Sequence, residues 1–280
     1  MLARGKKLDD GEHGDFESQK PPSIFPARPS IKGDMSDTIC WTLVDSSHAS
    51  LENPEGFLSS SELRKFHTFR FAKRHQEWLI GRWTAKFLFK SIPTYQGYLP
   101  SEIDILSSEE GAPYIQLSGG GPAPNILSIS HCDRYALCAL TSGTDIHIGV
   151  DIEKIEARSQ TFIKDYFTPR EVGLVNSQPS GSRDIMSTLI WSAKESMLKA
   201  LRVGLRWDTR QVEINGVSGM LDKSDGWNEL QLTDLQQEKR GWFGWWQMYG
   251  GYVITSAGFP KEGSGFRSAQ MVEKRVTGSN

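Results

Sequence analysis

Asp151 and Glu153 stand two residues apart in the stretch Gly149-Val150-Asp151-Ile152-Glu153-Lys154. A strand would send Val150 and Ile152 to one face and both carboxylates to the other. Like charges at that spacing repel unless a cation lies between them, and a hard divalent ion such as Mg²⁺ takes oxygen ligands of this kind. A strand end whose acids are merely solvated fits the same pattern, so the pair acquires meaning from its company.

Further on, Trp191-Ser-Ala-Lys194-Glu195-Ser-Met-Leu-Lys199 places Trp191, Glu195 and Lys199 four residues apart, on one stripe of a helix, with Lys194 well round it. A carboxylate and an ammonium one turn apart suit a phosphate and metal site, and they equally suit a surface ion pair worth about 0.3–0.5 kcal/mol. Ser128-Ile-Ser130-His131 offers a hydroxyl and an imidazole at a strand end, either donors to phosphate or a turn histidine with no special role. Lys73, Arg74, Arg82 and Lys86 crowd one helical stretch, where a solvated face is the commoner meaning of any one cation.

The elements that carry these residues are legible. Leu79, Trp83 and Phe87 recur at helical spacing within Phe71 to Leu88, predicting a helix buried on one side. Short apolar runs at Ile39–Leu43, Ile103–Leu106, Tyr114–Leu117, Leu127–Ser130, Tyr135–Thr141 and Ile146–Ile152 alternate with turn residues and read as strands. Ser59-x-x-Glu62 and Thr168-Pro-Arg-Glu171 are capping boxes, the second with proline at the first helical position. A helix from about Arg183 to Arg202 ends at Gly204, followed by strands at Val212–Ile214, Leu230–Leu232, Trp242–Tyr249 and Tyr252–Ala257. Core filling accounts for Trp242, Trp245 and Trp246 more economically than a binding platform. The fold class is α+β: two similar halves in pseudo-twofold arrangement, each a long helix on a mainly antiparallel sheet. The expected boundaries are a disordered leader over 1–36, halves over 37–145 and 146–258, and a flexible tail over 259–280.

With 280 residues and a formal charge of −2, the chain has no basic field for bulk nucleic-acid or anionic-membrane binding. Its apolar fraction, roughly 45% with glycine counted and tyrosine left out, is that of globular proteins. Cys40, Cys132 and Cys138 are odd in number and lack metal-ligand spacing, which points to reduced thiols. No apolar run approaches the length of a membrane span, and the N-terminus lacks a secretory core. The expected location is therefore the cytoplasm.

Taken in order, Leu79-Ile-Gly-Arg-Trp-Thr-Ala-Lys86, Ser130-His131, Gly149-Val-Asp151-Ile-Glu153, Phe167-Thr168, and the Trp191 to Lys199 helix with Gly204-Leu205 resemble the 4′-phosphopantetheinyl transferase superfamily, specifically its monomeric, surfactin-type, two-half branch. The resemblance implies transfer of the phosphopantetheine arm of coenzyme A to a serine of an apo acyl or peptidyl carrier protein, by a monomer. It implies Mg²⁺, with Mn²⁺ an alternative, on Asp151, Glu153 and Glu195. It assigns catalysis to Glu195, as base directly or through a water, and to Lys199 at the pyrophosphate. Coenzyme contacts fall on Lys73, Arg74, Ser130, His131, Lys194 and Lys199. A carboxylate next to a cation is expected to have a depressed pKa, which favours the water-relayed role. One position departs from the family: Gly111-Ala112-Pro113 stands where Gly-Lys-Pro or Gly-Arg-Pro is usual, so one donor to the 3′-phosphate is missing. A catalytically silent homologue that binds coenzyme A or a carrier protein is the alternative. Metal-dependent phosphate-ester hydrolysis is a third reading.

Overall fold

Two long helices each pack an apolar face onto their own sheet. The structure is a computed structural model that describes residues 36–221 and 226–276. Strand β1 (Ser36–Asp45) leads through α1 (Ser60–Phe66) into α2 (Ala72–Lys90). Strands β2 (Ile103–Ser107), β3 (Pro113–Leu117), β4 (Leu127–Cys132), β5 (Tyr135–Thr141) and β6 (Ile146–Lys154) follow. Helices α3 (Gln160–Tyr166), α4 (Pro169–Asn176) and α5 (Arg183–Ala200) precede β7 (Val212–Val217), β8 (Asn228–Asp234), β9 (Phe243–Tyr249), β10 (Tyr252–Pro260) and β11 (Ser268–Glu273).

One sheet has the order β11-β1-β5-β4 and a second the order β6-β10-β9-β8-β7, with β2 and β3 forming a separate hairpin. Pairing is antiparallel throughout except for β1 with β11. Helix α2 packs Ala85, Leu88 and Phe89 against Cys138 and Leu140 of β5 and the hairpin's Ile103 and Ile115. Helix α5 packs Leu189, Ile190, Ala193 and Met197 against Val212, Ile214, Val253 and Ala257. Where β4 meets β6 the sheets abut, joined in part by the Val150 amide donating to the Ser128 hydroxyl at 3.0 Å. Both sheets fall in one compact unit. The mixed α+β class expected from the patterning is the class observed.

Residues 1–35 of the expected leader lie outside the described residues, and Ser36 already begins β1. The tail expected over 259–280 is corrected where it is described. Phe259 and Pro260 finish β10, and β11 adds in parallel to the edge of β1 from Ser36↔Ser268 to Trp41↔Glu273. Backbone hydrogen bonds hold this strand, and Ala269 and Met271 alone of its first four residues turn inward. Six residues behind a Gly-Ser-Gly stretch carry too weak an alternation to be recognised locally. Trp246 is fully buried, while Trp242 and Trp245 pack against two core clusters, so these rings fill the core as expected. Among the described residues the three cysteines are unpaired, and no helix is long and apolar enough to cross a membrane.

Candidate active site

The seam between β4 and β6 is where the candidate residues converge, and a glycine sets how closely the second long helix approaches it. A Cβ on Gly149 would lie 2.0 Å from the Ser196 carbonyl oxygen and 2.8 Å from the Lys199 Cβ. Contacts that short are impossible, so only glycine lets α5 settle on β6 at this depth. The same face of α5 carries Ser192 and Ser196, both buried and hydrogen-bonded to the Thr255 hydroxyl at 2.9 and 2.7 Å. Thr255 is the register partner of Asp151. Glu195 and Lys199, flanking Ser196, are thereby carried to the strand's carboxylates.

One oxygen from each of Asp151, Glu153 and Glu195 falls within 4.8 Å of the others. Lys199 Nζ donates to Asp151 Oδ1 at 2.7 Å, to Ser130 Oγ at 2.9 Å and to the Val150 carbonyl at 3.2 Å. Ser130 Oγ in turn donates to Asp151 Oδ1 at 2.7 Å. Asp151 Oδ2 is buried with no hydrogen-bond partner. A buried carboxylate oxygen without a donor is costly unless a cation meets it. Three hard oxygen donors, one of them orphaned, fit Mg²⁺ or Mn²⁺.

The charges titrate accordingly. Burial and the nearby Asp151 carboxylate push Glu195 up to about 7, against the opposing pull of Lys199. This reverses the expectation of a depressed carboxylate. Lys199 lies 3.9 Å from Glu195 and is committed to Asp151 at 2.7 Å. Burial opposes the charged form of Lys199, but Asp151, Glu195 and Glu153 outweigh it and hold its pKa above the ordinary lysine value. Glu153 is raised by burial and by Asp151, although Arg158 pairs with it at 2.8 Å.

His131 lines a cavity of about 600 Å³ beside this seam, with Lys65, Arg74 and Arg82 as its cations and Glu62 and Glu77 as its acids. Burial holds the His131 pKa below its usual value, opposed by Glu77 and reinforced by Lys199 and Arg74, so its ring is neutral at pH 7. Lys73 is not part of this group. Its side chain is 82% exposed and reaches Glu77 at 3.8 Å along the helix. Of the two adjacent cations it is Arg74 that lines the cavity with His131, a choice the helix register makes.

Lys194, expected at the coenzyme, is corrected. It is fully buried, and its Nζ donates to Glu171 Oε1 and Oε2 at 2.7 and 2.6 Å and to the Val212 carbonyl at 2.6 Å. Glu171 also accepts from the Thr168 amide, closing the capping box of α4, and from the Ile214 amide of β7. Lys194 therefore joins α4, α5 and β7 inside the core. A similar lock joins α1, β2 and α2. Glu62 closes the box of α1, accepts from the Ile105 amide of β2 and pairs with the buried Lys86 of α2, whose Nζ also reaches the Phe57 and Pro100 carbonyls. The shared pattern Trp-x-Ala-Lys at 83–86 and 191–194 was the signal available in the sequence. Arg158 carried no comparable signal, because its pairing with Glu153 and its packing over Phe162 depend on the turn into α3.

Fold and site together define an α+β protein with a carboxylate triad, suited to a divalent cation, beside a cation-lined cavity suited to an anion. The sequence model of the 4′-phosphopantetheinyl transferase superfamily matches residues 147–256, a span that holds all three carboxylates. The chain is 37% identical over 86 residues to a holo-[acyl-carrier-protein] synthase of Staphylococcus carnosus, covering 30% of this chain and 71% of that protein. It is 25% identical over 207 residues to the 4′-phosphopantetheinyl transferase HetI of a Nostoc species, covering 71% of this chain and 84% of the relative. A Bacillus subtilis 4′-phosphopantetheinyl transferase is 31% identical over 140 residues, 49% of this chain and 56% of the relative. The chain belongs to the 4′-phosphopantetheinyl transferase superfamily.

Proposed function

We propose that this protein transfers the 4′-phosphopantetheine moiety of coenzyme A to a serine hydroxyl of an apo acyl or peptidyl carrier protein. The serine oxygen forms a bond to the phosphorus that bears the pantetheine arm. The bond from that phosphorus to the bridging oxygen breaks, and adenosine 3′,5′-bisphosphate leaves. The observation that carries this reading is the triad of Asp151, Glu153 and Glu195 within 4.8 Å, with Lys199 hydrogen-bonded between Asp151 and Ser130. The triad suits Mg²⁺, or Mn²⁺ in its place, and a bound divalent ion there would neutralise charge developing on the pyrophosphate.

The chain's own groups divide the remaining work. Lys199 presents a fixed ammonium at the seam, where it can hold a pyrophosphate oxygen. Glu195, at the triad, is the group placed to accept the serine proton, directly or through one water. Neutral His131 and, beyond it, Arg74 extend the donor surface from the triad into the cavity, where the nucleotide end of the coenzyme fits. The related two-lock arrangement of the halves supports a site made within a single chain, hence a monomer of two similar halves. Cytoplasmic location follows from where carrier proteins and free coenzyme A occur together with reduced thiols.

Intact-mass spectrometry tests this directly. Apo acyl and apo peptidyl carrier proteins are incubated with the protein, coenzyme A and Mg²⁺, with Glu195→Gln as control. A phosphopantetheine mass gain that disappears in the control is the expected result. A folded protein that binds coenzyme A yet modifies neither carrier is instead the silent homologue for these carriers. Consumption of coenzyme A without a carrier marks a hydrolase.

A further inference from the structure

Two of the three carboxylates at the seam have one oxygen already claimed. Asp151 Oδ1 accepts from Lys199 Nζ and from Ser130 Oγ, each at 2.7 Å, which leaves Oδ2 buried and without a hydrogen-bond partner. Glu153 Oε2 accepts from Arg158 at 2.8 Å. Arg158 lies in the turn from β6 into α3 and is 12% exposed, with its guanidinium 5.0 Å from the centre of the Phe162 ring and 5.9 Å from that of Trp191 on α5. Aromatic rings on two elements hold the guanidinium, and one short charge-assisted bond then fixes the carboxylate it meets. Little competes for it: Arg158 Nε is buried without a partner, and the exposed Glu156 stands 3.9 Å away. Glu195 is approached by Lys199 only at 3.9 Å, beyond hydrogen-bond reach.

We infer that Arg158 is a positioning residue that withholds one oxygen of Glu153, so that β6 offers single oxygens to a divalent ion and the site favours Mg²⁺ or Mn²⁺ over Ca²⁺. The inference rests on the divalent site of the proposed transfer reaction. A small ion with about six nearly octahedral ligands takes carboxylates through one oxygen each and keeps places for water or phosphate oxygens. Ca²⁺ takes roughly six to eight oxygens at longer distances and gains from carboxylates that bind through both. With Asp151 Oδ1 tied to Lys199 and Glu153 Oε2 tied to Arg158, that second mode is closed on β6. The charge of Arg158 weakens every divalent ion by a similar factor, so only its hold on Oε2 discriminates between them. Lys199 also serves the pyrophosphate in the proposed reaction, which leaves Arg158 as the contact whose effect on the ion can be separated.

The test is Mn²⁺ binding to the purified full chain without coenzyme or carrier, followed by the electron paramagnetic resonance signal of the free ion and by competition with Mg²⁺ and Ca²⁺. The wild type is compared with Arg158→Met, Arg158→Gln and Arg158→Lys, and thermal unfolding of each reports the fold. Methionine keeps apolar packing on Phe162 and Trp191, glutamine is polar but too short to reach Oε2, and lysine keeps a charged donor. Arg158→Met and Arg158→Gln lower the ratio of Mg²⁺ to Ca²⁺ affinity about tenfold, whereas Arg158→Lys keeps it within about threefold of the wild type. A ratio unchanged in the folded methionine or glutamine variant, with all three affinities moved by one factor or not at all, overturns the inference and leaves the metal site and the transferase standing. A folded wild type that binds none of the three ions overturns the inference and the divalent site together.

Discussion

Glu195 is the residue whose chemistry depends most on what surrounds it. Burial and Asp151 raise its folded pKa from the ordinary 4.5 to about 7 in the metal-free protein. Between those values the native state binds a proton that the unfolded chain has released, so stability falls as pH rises from about 4.5 to about 7 and levels above it. Chemical denaturation of the metal-free protein across this window should show that decline, and Glu195→Gln should remove much of it. If the variant kept the same slope, Glu195 would not be the titrating group. Lys199 carries a different consequence. It compensates Asp151 at 2.7 Å; if it holds a pyrophosphate oxygen as in the proposed reaction, Lys199→Met should lower kcat by about 100-fold or more, measured by carrier mass gain. A loss confined to KM would assign it to binding alone.

At the scale of elements, the two buried lysines explain why α2 and α5 sit as they do. Each threads from a helix to a capping-box glutamate and to backbone carbonyls of the neighbouring segments. Removing one partner strands a buried charge, so Lys194→Met should cost about 3–5 kcal/mol in urea unfolding. Lys194→Met with Glu171→Gln should recover part of that, because both charges are gone. A change below about 1 kcal/mol in the single variant would contradict a structural role and return Lys194 to the list of ligand contacts. Gly149 controls the other contact of α5. Gly149→Ala inserts a Cβ 2.0 Å from a carbonyl oxygen, so α5 must lift from β6. The expected outcome is a loss of at least about 1–3 kcal/mol together with weaker Mn²⁺ binding, since Glu195 moves with the helix. Unchanged stability and Mn²⁺ affinity would show that the helix can shift without disturbing the triad.

For the whole molecule, the site belongs to neither sheet alone. Ser130 comes from β4, Asp151 and Glu153 from β6, and Glu195 and Lys199 from α5. The first sheet stays in place partly through β11, whose parallel pairing covers the edge of β1. Deleting residues 267–280 should uncover that edge, lower the thermal midpoint by several degrees and promote self-association visible by light scattering. A truncated chain as stable and as dispersed as the full one would make β11 dispensable.

What local pattern encodes was open to sequence reading. Helical spacing at Leu79, Trp83 and Phe87, the boxes Ser59–Glu62 and Thr168–Glu171, and the alternation through Ile146 to Ile152 foretold α2, both caps and β6. The Asp151 and Glu153 pair was legible because a strand fixes which of its side chains share a face, and Glu195 joined it in the sequence only through the family resemblance. Tertiary structure decided everything that depends on contacts between distant segments. It turned Lys194 inward to Glu171, set Arg74 rather than Lys73 at the cavity, and left Arg82 Nε idle beside a glutamate already satisfied. It also raised Glu195 where the adjacent lysine alone would lower it. The physical reason is that backbone conformation and side-chain phase arise within a few residues. Burial, counter-ions and the sharing of hydrogen bonds exist only once segments far apart in the sequence have been packed together.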